Sequence, residues 1–196
     1  MSDRFQNKYR IESTRLKNWD YGSNASYFVT ICTQNRECFF GDVVGDKDAL
    51  PCFSLTPIGV IVETEWLKTF EMRPDMNLEM GEFVVMPNHF HAIIGIGENE
   101  YNTKRDTHLD TQRRGAMHCA STNDNPKNKF GPQSKNLASI IRGFKIGVTK
   151  NARLINPDFA WQPRYHDHVI RNDKSFHRIS EYIINNPRNW TTDKLR

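Results

Sequence analysis

Two histidines flank a phenylalanine in the apolar segment VVMPNHFHAIIGI, residues 84–96. In a β-strand, side chains two residues apart point to the same face, so His89 and His91 project together while Phe90 projects to the other face. Imidazole is a common protein ligand of metal ions, and two adjacent imidazoles predict half of a divalent metal site. The alternative is a pair of polar residues on an exposed sheet face. The apolar run around the pair favours the metal site.

A third ligand must come from elsewhere in the chain, and the segment EYIINNP, residues 181–187, offers one. Tyr182 and Asn186 are four residues apart, so a helix places them on one face, one turn from each other. Asn186 directly precedes Pro187, at the end of this helix, where its amide oxygen is free to reach a cation. For Tyr182 the alternative is a half-buried aromatic residue on an amphipathic helix.

The strands and helices that must position these side chains follow from the spacing of apolar residues. Residues 27–33 alternate and are rich in β-branched and aromatic side chains, which predicts a first strand. The further elements predicted are a helix over 56–70, strands over 76–86, 89–96 and 159–170, a basic amphipathic helix over 137–155, and a last helix over 173–186. This β-α-β-β-α-β order followed by a helix predicts an α+β, ferredoxin-like antiparallel sheet with an added C-terminal helix.

Length and composition predict a single domain over residues 1–196 with one hydrophobic core. Residues 98–133 are polar and Asn-rich, which predicts a mobile insertion rather than a second domain. The four cysteines form no CxxC pair, which argues against a disulfide scaffold or a structural zinc site. No export signal or run of eighteen apolar residues is visible, so we expect a cytoplasmic protein that does not span a membrane.

Charge is unevenly divided along the chain. Residues 1–100 hold 9 Lys and Arg against 15 Asp and Glu, whereas residues 101–196 hold 18 against 8. A basic half points to a polyanion such as nucleic acid, although a solubilising surface on an ordinary enzyme explains it equally well. The cationic residues interleaved in the predicted helix 137–155 are Arg142, Lys145, Lys150 and Arg153.

Three segments in order, PNHFHAII, WQPRYHDHVIRN and YIINNP, carry a resemblance to a known family. Together they resemble the single-tyrosine HUH transposases, and most closely the REP-associated tyrosine transposases, over residues 27–190. The resemblance implies that His89, His91 and Asn186 bind Mg²⁺ or Mn²⁺ and that Tyr182 is the catalytic nucleophile. It also implies a ferredoxin-like fold, in agreement with the predicted element order.

The function implied by this resemblance is a metal-dependent endonuclease and strand transferase, a transposase acting on single-stranded or hairpin-forming DNA such as REP-like repeats. Tyr182 would form a covalent 5′-phosphotyrosine intermediate and release a 3′-hydroxyl, so that DNA is nicked and rejoined without ATP. Such a protein would work in the cytoplasm at the nucleoid, as a monomer or a homodimer. Residues expected to help bind DNA, beside the helix cations above, are Trp161, Gln162, Arg164 and Arg171.

Alternatives remain for the nucleophile and for the function. Tyr165 is a rival nucleophile, next to a second histidine pair at His166 and His168; Tyr182 is favoured because only it has an amide four residues later. An RRM-like RNA-binding module shares the sheet topology, but no RGFGFV-like run is present. A catalytically silent DNA-binding protein is the third interpretation, against which the intact Tyr182 and its expected ligands argue.

Overall fold

The strands and helices are described in a computed structural model over residues 15–16, 19–44, 52–103 and 134–195. In chain order they are β1 (Ala25–Cys32), β2 (Gly41–Val44), β3 (Cys52–Leu55), α1 (Pro57–Glu71), β4 (Leu78–Met86), β5 (His89–Ile96), α2 (Leu137–Ala152), β6 (His166–Ile170) and α3 (Asp173–Asn185). Asparagine and threonine side chains begin all three of these helices, since Thr56, Asn136 and Asn172 each accept a hydrogen bond from a backbone N–H of the first turn.

The main sheet has four antiparallel strands in the order β4-β5-β1-β6. With α1 between β1 and β4 and α2 between β5 and β6, this is the ferredoxin-like arrangement that the element order predicts. The register places Thr30 of β1 opposite both His91 of β5 and His166 of β6. The histidine strand therefore lies in the interior of the sheet, with β1 on one side and β4 on the other.

Helices cover both faces of the sheet. On one face, α1 and α2 pack over alternate residues of β1 and β5, including Tyr27, Val29, Phe90 and Ala92, to form the main core. On the other face, α3 packs through a smaller apolar cluster, Ile93, Ile170, Ile179 and Ile183. Because side chains alternate along β5, His89 and His91 share the α3 face with Ile93.

A short hairpin, β2 paired with β3, departs from the predicted element order. Each of its strands has four residues, which is too short for an alternating pattern to be recognised. It precedes α1 directly, and the Phe40 carbonyl at its start accepts a hydrogen bond from the Thr56 backbone N–H at 3.0 Å. The hairpin therefore joins the start of α1 to the core.

Some predicted boundaries are also too long. The strand predicted over 159–170 is regular only from His166, since Arg164 adopts a left-handed backbone with φ 71° and Trp161 makes an isolated bridge to Thr33. The strand predicted from residue 76 begins at Leu78, after a 3-10 turn that ends at Asn77 with φ 46°. Left-handed residues interrupt a strand, and single-residue backbone conformations of this kind are hard to read from side-chain periodicity.

The predicted polar insertion is described only at its start. Asn99 Nδ2 donates hydrogen bonds to the Met76 and Gly97 carbonyls at 3.0 and 2.9 Å, and the Tyr101 hydroxyl donates to Asp75 at 3.0 Å. Residues 104–133 lie outside the described residues, so the mobile insertion stays a prediction. Among the helices that are described, none is long and apolar enough to cross a membrane.

Candidate active site and nucleic-acid interface

The two histidines of β5 lie side by side beneath α3. Their ring centroids are 4.6 Å apart, and His89 and His91 are 0% and 1% exposed. The alternative of polar residues on an exposed sheet face is therefore wrong. Burial lowers the pKa of each imidazole to about 3, so both rings are neutral at physiological pH and keep a lone pair available for a ligand.

Asn88 sets the tautomer of His89. Its Nδ2 donates to two backbone carbonyls, those of Arg36 at 3.2 Å and Leu195 at 2.9 Å. Its Oδ1 therefore faces His89 Nδ1, 2.7 Å away, and since this oxygen only accepts, Nδ1 must carry the hydrogen. The His89 Nε2 atom is consequently an unprotonated acceptor, oriented by a partner of the kind that commonly supports metal-binding histidines.

His91 connects the sheet to α3. Its Nδ1 lies 2.8 Å from Thr30 Oγ1, and its Nε2 lies 3.3 Å from the Tyr182 hydroxyl. Phe28 stacks on the imidazole at 5.3 Å and meets the Tyr182 ring edge-on at 6.1 Å. When Nδ1 donates to Thr30, Nε2 is free to accept the phenolic hydrogen.

Tyr182 is the predicted nucleophile that the structure brings to the histidines. Its side chain is 44% exposed, so one edge contacts His91 while the other is open to solvent. Burial of the hydroxyl and the nearby Asp193 charge raise its pKa, which the Asn186 side chain partly opposes. Since the ordinary pKa of tyrosine is already near 10, Tyr182 carries its proton at neutral pH.

Asn186 lies at the C-cap of α3, directly before Pro187, as the sequence predicts. It is 2% exposed, and its Oδ1 has no hydrogen-bond partner within the described part of the chain. Its side chain lies beside His89, whose pKa is lowered mainly by burial and secondarily by Arg36, with the Asn186 contact acting in the opposite direction. One amide therefore reaches both the histidine pair and the tyrosine.

The segment after α3 closes over the histidines, a contact that no sequence pattern predicts. A 3-10 helix, Pro187–Thr192, carries Trp190, which stacks over His89 with ring centroids 6.1 Å apart. Asp193 follows, with its Oδ2 3.5 Å from His89 Nε2 and a side chain that is 7% exposed. The segment TTDKLR, residues 191–196, has the composition of a polar tail, and the spacing of its residues does not indicate a site.

Three buried polar atoms in this region have no hydrogen-bond partner among the described residues: His89 Nε2, Asn186 Oδ1 and Asp193 Oδ2. All three are acceptors, and a group of buried acceptors without a donor fits a cation. In the part of the chain that is described, no three His, Cys, Asp or Glu side chains are placed to hold a metal ion. The predicted set contains only two such residues, and its third ligand is an amide.

The rival tyrosine lies on the opposite side of the sheet. Tyr165 packs against the core under α1 and α2, and its hydroxyl accepts a hydrogen bond from the Arg15 guanidinium at 2.6 Å. Burial raises the pKa of Tyr165, as it does that of Tyr182, but the Tyr165 hydroxyl contacts the Arg15 guanidinium whereas the Tyr182 hydroxyl contacts His91. The second histidine pair, His166 and His168, is exposed on β6. The geometry thus favours Tyr182 over Tyr165.

All four cationic residues predicted to bind DNA from α2 and its C-cap line one cleft of about 620 Å³, together with Trp161. The four are Arg142, Lys145, Lys150 and Arg153, and Trp161 comes from the following loop. Lys145 already has partners within the protein. Its Nζ donates hydrogen bonds to the Gln162 and Arg164 carbonyls at 2.8 and 3.2 Å, and it lies 5.7 Å from the centre of the Trp161 ring. The cleft combines a cationic rim with an aromatic wall, as single-stranded nucleic-acid sites do.

The remaining predicted DNA contacts are dispersed. The Gln162 backbone N–H donates to the Cys32 carbonyl at 2.9 Å, and Arg164 is exposed. Arg171 lines a second cleft of about 430 Å³ at the start of α3, together with Arg178 and His168. Because α2 and α3 cover opposite faces of the sheet, the larger cleft and the histidine site lie on different sides of the molecule.

Comparison with known proteins finds a curated relative and solved structures of similar fold. No protein-family model matches the chain. A Haemophilus influenzae protein, described only as an uncharacterized protein, is 38% identical over 187 residues, or 93% of this chain and 91% of that protein. A REP-associated tyrosine transposase, solved bound to a REP hairpin, aligns with a TM-score of 0.53 at 18% identity, over 94% of this chain and 77% of its own. The likeness confirms the predicted resemblance at the level of the fold.

Proposed function

We propose that this chain nicks and rejoins single-stranded DNA through a covalent tyrosine intermediate. It belongs to the same family as the Haemophilus influenzae protein, and it has the fold of a REP-associated tyrosine transposase. One observation carries the proposal. The Tyr182 hydroxyl lies 3.3 Å from Nε2 of a buried, neutral His91, beside a second histidine and an amide with an unpaired oxygen. This is a nucleophile next to a set of acceptors that fit a cation.

The reaction that these residues support is a transesterification at phosphorus. The Tyr182 oxygen attacks the scissile phosphate, a new O–P bond forms, and the bond from phosphorus to the 3′-oxygen breaks. The hydrogen lost by the phenol is balanced by the hydrogen gained by the departing 3′-hydroxyl. Since one phosphodiester replaces another, a 3′-hydroxyl reverses the step and rejoins DNA without an energy source.

The chain itself must lower the barrier for a phenol whose pKa is raised. His91 Nε2 accepts the hydrogen bond of the Tyr182 hydroxyl and so directs its oxygen, while Phe28 restricts the ring. The residues that would hold a divalent ion, Mg²⁺ or Mn²⁺ by the family resemblance, are His89, His91 and Asn186, and His91 Nε2 would then contact the ion in place of the Tyr182 hydroxyl hydrogen. Such an ion, when bound, polarises the phosphate and offsets its extra negative charge.

A hairpin with a single-stranded flank is the proposed substrate. The solved relative in fold is bound to a REP hairpin. The cationic cleft along α2 lies on the other side of the sheet from Tyr182, so it would hold DNA away from the scissile phosphate, with charge and an aromatic wall. An RRM-like module would need an open sheet face to stack bases. Here α3 covers that face through Ile93, Ile170, Ile179 and Ile183, which favours the transposase proposal over the RNA-binding one.

Cleavage of a labelled DNA hairpin with a single-stranded flank tests the proposal. The full chain should cut the flank in Mg²⁺ or Mn²⁺, and His89→Ala combined with His91→Ala should abolish cutting while the cleft still binds the hairpin. The matched control is His168→Ala, which removes an exposed histidine from the same sheet face and should cut normally. Binding without any cutting by the wild type would favour a silent DNA-binding protein, and equal affinity for the RNA hairpin would favour the RNA-binding module.

A further inference from the structure

The Asp193 carboxylate is buried beside the histidines without a compensating donor at one oxygen. Its Oδ1 accepts a hydrogen bond from the Leu195 backbone N–H at 2.8 Å, whereas Oδ2 has no partner among the described residues. The side chain is 7% exposed. A carboxylate oxygen in such surroundings is unfavourable unless it is paired with a cation or a hydrogen-bond donor.

The imidazole beside this oxygen does not supply a hydrogen. Asp193 Oδ2 lies 3.5 Å from His89 Nε2, and the contact of His89 Nδ1 with Asn88 Oδ1 leaves Nε2 unprotonated. Two acceptors therefore face each other across a gap that is too long for a hydrogen bond of ordinary strength. Repulsion between them is removed if a cation lies between them.

The separation of the two atoms suits ligands of one ion. Two ligand atoms each about 2.1 Å from a metal are about 3.0 Å apart at a right angle and about 3.4 Å apart at a tetrahedral angle. The observed 3.5 Å is near the tetrahedral value and about 0.5 Å longer than the right-angle value of the octahedral sites that Mg²⁺ prefers. The unpaired Asn186 Oδ1 is the third acceptor of the same buried group.

We infer that Asp193 is an additional, anionic ligand of the divalent ion, acting with His89 and Asn186. The inference rests on the proposed function, because it concerns the same ion. A carboxylate brings a negative charge that neither imidazole nor amide provides, and hard divalent ions such as Mg²⁺ and Mn²⁺ favour carboxylate oxygen. The C-terminal segment then contributes to the metal site as well as covering it.

A Mn²⁺ titration of the full chain without DNA tests this role. The electron paramagnetic resonance signal of free Mn²⁺ measures how much of the ion is bound. Asp193→Asn preserves the size of the side chain and the Oδ1 contact, and it should weaken Mn²⁺ binding by at least about 10-fold, the lower end of what loss of an orienting partner costs. Asp158→Asn removes an exposed carboxylate elsewhere and should bind as the wild type does. Asp193→Glu retains the charge and should bind more tightly than Asp193→Asn.

The outcomes separate this inference from the proposed function. Wild-type affinity, or tighter binding, in Asp193→Asn together with lost binding in His89→Ala overturns the role of Asp193 and leaves the histidine site intact. Absent binding in the wild type, or unchanged binding in His89→Ala, overturns the metal site itself and Asp193 with it. Circular dichroism of each variant shows whether lost binding comes from lost folding. If Asp193→Asn does not fold, Asp193→Glu takes its place: Mn²⁺ binding by folded Asp193→Glu supports the carboxylate ligand, and absence of binding by it overturns the inference.

Discussion

Acid should destabilise the metal-free protein through its buried histidines. His89 and His91 have pKa values lowered from 6.5 to about 3, chiefly by burial. Between these two values the unfolded chain binds protons that the folded chain does not. The free energy of unfolding therefore rises with pH over this interval. The contribution of the two neutral histidines is lost as the pH falls from 6.5 towards 3.

The size of the loss follows from the difference in bound protons. At pH 5.0 an unfolded histidine of ordinary pKa is almost fully protonated, whereas the buried ring is still neutral. Moving from pH 7.5 to 5.0 should thus cost about 2 kcal/mol for each histidine, or about 4 kcal/mol for the pair. This is a large part of the about 5–15 kcal/mol that stabilises a typical domain.

Urea denaturation in EDTA, followed by tryptophan fluorescence, measures this effect at both pH values. The wild type is compared with His91→Asn, which removes one buried titrating ring and should lose about 2 kcal/mol less between pH 7.5 and 5.0. The control is His168→Asn, an exposed histidine on β6, which leaves the buried pair intact and should keep the wild-type acid sensitivity. Equal losses in wild type and His91→Asn would show that the buried ring is not the source of the acid sensitivity.

Three further variants probe the surroundings of the site. Asn88→Ala removes the partner that orients His89, so it should cost about 2 kcal/mol in urea denaturation and about 10-fold in Mn²⁺ affinity by calorimetry; unchanged affinity would contradict the tautomer argument. Lys150→Ala in the α2 cleft should lower the slope of log affinity for the DNA hairpin against log salt by about 1, whereas Lys174→Ala on α3 should not. Tyr165→Phe removes the oxygen that accepts the Arg15 hydrogen bond, so it should cost about 1 kcal/mol of stability and leave DNA cleavage at the wild-type rate.

The parts of the site that depend on local spacing could be predicted from the sequence. His89 and His91 share a face because residues two apart in a strand always do, and Tyr182 and Asn186 share one because residues four apart in a helix do. The ferredoxin-like sheet followed from the order of longer elements, whose apolar patterns are strong. The strands β2 and β3 could not be predicted, because four residues are too few to show the alternation of apolar and polar side chains.

The parts that depend on distant segments could not be predicted. Asn88 orients His89 only because its amide is held by the Arg36 and Leu195 carbonyls, one of which is 107 residues away. Asp193 reaches the site because the segment after α3 folds back over β5, and no residue pattern near it indicates that path. The raised pKa of Tyr182 likewise depends on burial and on Asp193, which are properties of the tertiary structure.

Covalent capture of DNA tests the central claim most directly. The full chain, incubated with a hairpin labelled at its 3′ end, should form an adduct that survives denaturation and whose labelled peptide maps to residues 179–188. Tyr182→Phe keeps the ring and its packing against Phe28 and His91, so it should bind the hairpin normally and form no adduct, while Tyr165→Phe should form the adduct as the wild type does. A labelled Tyr182→Phe protein together with an unlabelled Tyr165→Phe protein would contradict the account and make Tyr165 the nucleophile.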